Sequence, residues 1–153
     1  KQRVGIAQVL LGNPELMILD EPTVGLDPEE RIKFRNVFSN SAKDKIVLLS
    51  TRIIDDIQAV CNRIIIINNG MILFDGISKD LNKAAYGHVG LMEENDDDAL
   101  DKKVDKQYKI TSKIFTSKGI SCRVVAKDLN RDIPRVEPTL EDAYTYVVHN
   151  GGI

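Results

Sequence analysis

Two adjacent carboxylates, Asp20 and Glu21, follow the apolar run Leu16-Met17-Ile18-Leu19 and are closed off by Pro22. Four apolar residues in succession predict a strand buried on both faces, of the kind found in parallel sheets. Proline has no N–H to give to a ladder, so the strand stops there. The acids are thus delivered at the carboxyl end of a core strand, where open α/β sheets hold their ligands. Such a pair suits phosphoryl transfer, one carboxylate holding Mg²⁺ while its neighbour orients or deprotonates the attacking water. Taken alone, the same residues also describe a strand that ends in solvent at a charged turn. The flanking sequence decides between the two.

The elements that must position the pair alternate between helix and strand. Ile6, Val9 and Leu10 share one helical face, and Gly12 and Pro14 supply a stop. After the strand, Asp27-Pro28-Glu29-Glu30 reads as a helix start, with a cap, a proline at the first helical position and acids on the positive end of the dipole. Phe34, Val37 and Phe38 form its buried stripe. Ile46–Leu49 is a second buried strand, and Ile53, Ile57, Val60 and Cys61 line the helix after it. Ile64–Ile67 and Met71–Phe74 flank Asn69-Gly70, which supplies the positive φ angles of a hairpin turn. Strands alternating with helices predict a mostly parallel α/β sheet with a hairpin at its end.

Past Gly76 the character changes. His88–Met92 reads as a strand and Asn95–Tyr108 as a charged helix. Lys109–Thr116 and Ser121–Val125 form an antiparallel pair joined near Lys118-Gly119. Thr139 with Asp142 makes a capping box before Leu140, Ala143, Tyr144, Val147 and Val148, which keep helical spacing. This is a small α+β appendage. The acids Glu93, Glu94 and Asp96–Asp98 read as a solvated first helical turn, because they lack the alternating ligands and glycine of a calcium loop.

The run from Lys1 to Pro28 resembles the ATP-binding-cassette (ABC) transporter ATPases. Lys1-Gln2-Arg3 matches the helix that follows their signature sequence, Leu16–Thr23 their Walker B strand ending in Asp-Glu-Pro-Thr, and Gly25-Leu26-Asp27-Pro28 their D-loop. The likeness continues through Leu48–Thr51, Ala59–Arg63 and Ile64–Gly70. It resumes at Val136–Tyr144, which is similar to the tail of the bacterial drug- and peptide-export type. The fold it implies is α/β, a partial P-loop-type ABC ATPase sheet (its Walker B half) over residues 1–77, followed by a small α+β accessory domain over 78–153.

The resemblance also implies roles. Asp20 takes the position of the acid linked to Mg²⁺, and Glu21 that of the general base that polarises the attacking water. Asp27 has two compatible roles, helix cap and contact across a dimer of ATPase domains. Gln2 and Arg3 lie just past the signature loop, which binds the γ-phosphate of ATP held by the opposite subunit; an exposed helix start explains them equally well. Arg52 departs from the family, whose Ser-Thr-His places a switch histidine where Ser50-Thr51-Arg52 stands. Arginine holds a phosphate with a permanent forked charge but cannot give up a proton as histidine does. Slow hydrolysis and a harmless local variant both fit this exchange.

Composition bounds the rest. The 153 residues are 42% hydrophobic and 29% charged with a formal net charge of −2, so nothing suggests a basic nucleic-acid footprint. No apolar run reaches bilayer length and no charged-then-apolar leader is seen. Membrane attachment is therefore expected through a partner, at the cytoplasmic face. Cys61 and Cys122 lack metal-ligand spacing and read as reduced packing residues. His88 and His149 lie far in sequence from the carboxylates, which leaves no basis for a Ser-His-Asp or zinc reading. No stretch fits G-x-x-x-x-G-K-[ST], and no glycine is followed by lysine. The expectation is a C-terminal portion of a longer ATPase that uses ATP and Mg²⁺, pairs with a second ATP-binding subunit and a transmembrane permease, and is inactive as it stands. Two readings stand beside it: a soluble ABC-type ATPase acting on nucleic acid or ribosomes, and a non-catalytic dimerisation or regulatory module on residues 78–153.

Overall fold

The computed structural model describes residues 2–98, 100, 104 and 107–152. The chain divides into two compact units, residues 1–61 and 62–153.

The first unit runs α1 (Gln2–Leu11), β1 (Leu16–Asp20), α2 (Pro28–Ser41), β2 (Ile46–Ser50) and α3 (Ile54–Val60). β1 and β2 are parallel and in register from Leu16 opposite Ile46 to Asp20 opposite Ser50. The connection between them is the helix α2, as a parallel pair requires. Ile6 of α1, Leu19 of β1 and Phe38 of α2 form the core, with Leu10, Phe34, Val47 and Leu49 packed on it. The expected stop of α1 is realised by Asn13, which turns to a positive φ of 45° and donates its N–H to Leu10 O. Val9 lies largely outside the core, 37% exposed.

Burial of β1 on both faces is not what the structure shows. Met17 and Leu19 are buried, but Leu16 is 51% and Ile18 68% exposed. The same alternation holds in β2, where Val47 and Leu49 are half-buried while Ile46 and Leu48 are exposed. The physical reason is layering. Within this unit α1 and α2 cover one face of the two-stranded sheet, and side chains on a strand alternate between faces.

The second unit runs β3 (Ile64–Asn68), β4 (Met71–Gly76), α4 (Ser78–Ala84), β5 (Val89–Glu94), β6 (Lys109–Thr116), β7 (Gly119–Val125) and α5 (Leu140–Asn150). β3 and β4 pair as a hairpin, with Asn69 at φ 49° and Gly70 at φ 76° in its turn, but they form a two-stranded sheet of their own rather than the end of the β1–β2 sheet. Arg63 closes the open end with a forked pair of 2.7 Å bonds to Asp75. β5, β7 and β6 form an antiparallel sheet with β7 in the centre. Its core includes Met92, Cys122, Val124 and Ile120.

Glu93 and Glu94 belong to β5 rather than to a helical turn. The charged helix expected over Asn95–Tyr108 is present at Asp97, Asp98 and Leu100, while Val104 and Tyr108 are outside helix and Gln107 is a turn; residues 99, 101–103, 105 and 106 lie outside the described residues.

α5 starts at the predicted capping box. Asp142 N–H donates to Thr139 Oγ1 at 3.2 Å and Thr139 N–H to Asp142 Oδ2 at 2.9 Å. Asp142 is also fully buried and does more than cap: Arg123 donates to it at 2.6 and 3.1 Å, and Thr111 Oγ1 donates as well. Burial pushes this carboxyl up, but the hydrogen bonds from Arg123, Thr111 and Thr139 outweigh it and hold it below its ordinary value. One aspartate thereby ties β6, β7 and α5 together.

Candidate functional site

Parallel pairing of β1 with β2 brings residues 30 positions apart to one end of a sheet. Asp20 and Ser50 are register partners, and Ser50 Oγ donates a hydrogen bond to Asp20 Oδ1. The ladder extends one step further, with Glu21 N–H donating to Ser50 O at 2.9 Å. There the chain reverses. Glu21 adopts a φ of 45°, which costs an ordinary L-residue about 1–2 kcal/mol, and Val24 N–H bonds back to Glu21 O at 3.2 Å. The two acids are therefore held at the strand's carboxyl end by different devices, Asp20 by the sheet and Glu21 by a tight turn.

Arg52 reaches this turn. Its Nε lies 3.4 Å from Glu21 Oε1, with the arginine side chain 95% and the glutamate 32% exposed. The structure thus brings Asp20, Glu21 and Arg52 to one end of the sheet. Asp27 is the N-cap of α2, accepting from Glu30 N–H at 2.9 Å. Gln2 opens α1 and Arg3 follows it; their side chains, like all of Lys1, lie outside the described residues.

The residues that sequence reasoning missed sit behind the turn. Thr23, 1% exposed, donates its hydroxyl to Asp56 Oδ2. Asp56, also 1% exposed, takes Arg35 Nε at 2.6 Å and Nη2 at 2.5 Å on its other oxygen. One buried carboxylate therefore links the turn after Glu21 to α2 and to the first turn of α3. Nothing in the local pattern announces it, because Asp55 and Asp56 look like two acids favoured by a helix N-terminus. The neighbouring Cys61 thiol is pushed up, first by burial and then by Asp56, which disfavours the reactive thiolate.

The donor set at the strand ends is all oxygen: the exposed Asp20 carboxylate, the Ser50 hydroxyl and the Glu21 carboxylate beside them. Hard oxygen ligands suit Mg²⁺, which keeps several waters and needs one or two carboxylates.

Curated proteins that match this chain include several described as ABC transporter ATP-binding proteins. An uncharacterized ABC transporter ATP-binding protein of Bacillus subtilis is 37% identical over 89 residues, 58% of this chain and 30% of that protein. Another, from a Synechocystis species, is 27% identical over 165 aligned positions, 99% of this chain and 45% of that protein. The chain is homologous to ABC transporter ATP-binding proteins. A third relative of this ABC homologue, a Nod factor export ATP-binding protein I of Burkholderia thailandensis, is 32% identical over 88 residues, 57% of the chain and 29% of that protein. No family model matches. The chain spans between about a third and a half of the length of these relatives. Because the Synechocystis match covers nearly all 153 residues, the homology extends over both compact units. Among the described residues no helix is long and apolar enough to cross a membrane.

Proposed function

We propose that this chain is the Walker B half of a nucleotide-binding subunit that powers an ABC exporter. The observation that carries the reading is the convergence of Asp20, Ser50, Glu21 and Arg52 at the carboxyl ends of two parallel strands. In this reading Asp20 and Ser50 hold the Mg²⁺ of MgATP, and the ion supplies charge neutralisation for the transferred phosphoryl group. Glu21 orients and deprotonates the attacking water. Its strained turn fixes where the carboxylate starts, and Thr23 locked onto Asp56 keeps that turn from relaxing. Arg52 restrains Glu21 through an exposed ion pair, which slows hydrolysis, and is available to a γ-phosphate. Asp27, with Gln2 and Arg3, faces a second ATP-binding subunit, and a permease at the cytoplasmic face supplies the transport path.

On this reading the phosphate loop and signature are supplied by sequence beyond these 153 residues, since no G-x-x-x-x-G-K-[ST] occurs among them. Residues 1–77 then belong to the ATPase by ancestry and 78–153 to an accessory domain, while the boundary by packing falls at residue 61. The export-like ending Val136–Tyr144 and the Nod factor export relative favour an exporter. The test is ATP turnover by the complete subunit with Glu21→Gln. Loss of a general base lowers the rate by roughly 10²–10⁴-fold, with ATP affinity retained. A fall of less than tenfold removes Glu21 from the role.

A further inference from the structure

Asp20 and Ser50 form the last rung of the β1–β2 ladder, and Glu21 N–H adds one more bond, to Ser50 O at 2.9 Å. Beyond that point the two chains leave the sheet, one carrying Glu21 and the other Arg52. Side chains tie them together again, where the Thr23 hydroxyl donates to Asp56 Oδ2. The Glu21–Arg52 pair therefore sits inside a frame, with one cross-link before it in the sheet and the other after it. Both sides of the frame are braced. Val24 N–H bonds back to Glu21 O at 3.2 Å, Ile53 N–H to Thr51 Oγ1 at 3.0 Å, and Asp56 N–H to Ile53 O at 3.1 Å. Asp56 is kept from turning away by Arg35 of α2, which holds its other oxygen through Nε at 2.6 Å and Nη2 at 2.5 Å.

Stability alone is a poor reason for such a frame. Apolar residues of similar volume often replace a buried ion pair without loss, whereas a fully satisfied polar network fixes a single arrangement. An apolar contact between this turn and α3 would hold the two together and still let them slide. Hydrogen bonds converging on one carboxylate are directional and do not. Glu21 needs that definition, because its φ of 45° is a conformation an ordinary residue leaves once released.

We propose that Thr23, Asp56 and Arg35 are positioning residues that set where the Glu21 carboxylate stands when it acts. The inference rests on the reading of Glu21 as the general base. Asp56, 1% exposed, is buried away from solvent and acts through its neighbours. Its carboxylate fixes the Thr23 hydroxyl, Thr23 fixes the turn that begins at Glu21, and Arg35 fixes the carboxylate. The first turn of α3, which follows Arg52, is anchored to the same group. One carboxylate thus registers the base and its ion-pair partner together.

The test is ATP turnover by the complete subunit carrying Thr23→Val, with and without Glu21→Gln. Thr23→Val removes the hydroxyl and keeps the shape. It should lower kcat by at least about tenfold, because misplacing a reacting group by about 1 Å costs up to about 10²-fold. KM for ATP should change by less than about threefold, as when an interaction made only in the transition state is lost. In the Glu21→Gln background the same substitution should cost less than about twofold, since a base that is gone cannot be misplaced. Thr23→Ser, which keeps the donor, should recover most of the rate. Should Thr23→Val fail to fold, the apolar set Thr23→Val, Asp56→Leu and Arg35→Met carries the test. It should keep the fold, read by hydrogen exchange, and show the same fall in kcat. A smaller fall in a folded variant, a parallel rise in KM, or an undiminished cost in Glu21→Gln overturns the proposal. So does a serine variant as slow as the valine one, or an apolar set that does not fold. Glu21→Gln alone decides the reading beneath it: a fall of less than about tenfold there removes the base, and the positioning role with it.

Discussion

Asp56→Ala is the perturbation that best probes how the first unit is held together. The carboxylate is 1% exposed and receives the Thr23 hydroxyl and two nitrogens of Arg35. Its removal leaves a hydroxyl at 1% exposure and a guanidinium at 20% exposure without their acceptor. Breaking a buried pair from one side costs about 3–5 kcal/mol. A 61-residue unit with a small core has no more than that in total, about 3–5 kcal/mol. The substitution should therefore unfold residues 1–61 without unfolding 62–153. Hydrogen exchange read by mass spectrometry separates the two, with peptides covering β1 and β2 losing protection and those covering β7 and α5 keeping it. Replacing both charges, Asp56→Leu with Arg35→Met, should recover most of the loss, because apolar substitution of a whole buried pair is often neutral. If Asp56→Ala costs under about 1 kcal/mol, or the double variant is as unstable as the single, the network does not hold the turn.

Three further outcomes follow from the same geometry. Arg52→His in the complete subunit should raise ATP turnover, but by no more than about fivefold, since the exposed ion pair it releases from Glu21 is worth about 0.2–1 kcal/mol; an unchanged or slower rate refutes a restraining role. Asp142 has a lowered pKa, so its contribution to stability is fully present above the unfolded-state value near ~3.9 and is lost as pH falls below it through the folded-state value. Urea midpoints of the second unit should accordingly fall at acid pH in the wild type and hardly at all in Asp142→Asn. Gly70→Ala should destabilise the hairpin by about 1–2 kcal/mol because it forces a Cβ into φ 76°, and a thermal melt showing no loss would contradict the turn assignment.

What could be read from sequence was whatever depends on near neighbours. Asn69-Gly70, Asp27-Pro28 and the Thr139–Asp142 box each specify a turn or helix end through contacts within about four residues, and each appears as expected. The Thr23–Asp56–Arg35 network spans 33 and 21 residues, and no local pattern distinguishes a buried Asp56 from its exposed neighbour Asp55. The Asp142–Arg123 bond, 19 residues apart, was hidden in the same way beneath a correctly read cap. β1 and β2 misled for the opposite reason. Their unbroken apolar runs state what each face is suited to, whereas burial depends on which layers are present, and here Ile18 and Leu48 face outward. At the site, the order Asp20-Glu21-Pro22 foretold the strand end, but the bond from Ser50 required the register of a parallel pair.

The left-handed backbone at Glu21 also sets two kinds of selection against each other. At φ 45° asparagine or glycine is better tolerated than glutamate, so drift under pressure for stability alone runs away from a carboxylate. Lineages that abandoned the reaction should have let this position go early, gaining a firmer fold as they did so. If Glu21 is the general base proposed above, a glutamate kept at this position against the preference of its backbone marks selection for that role.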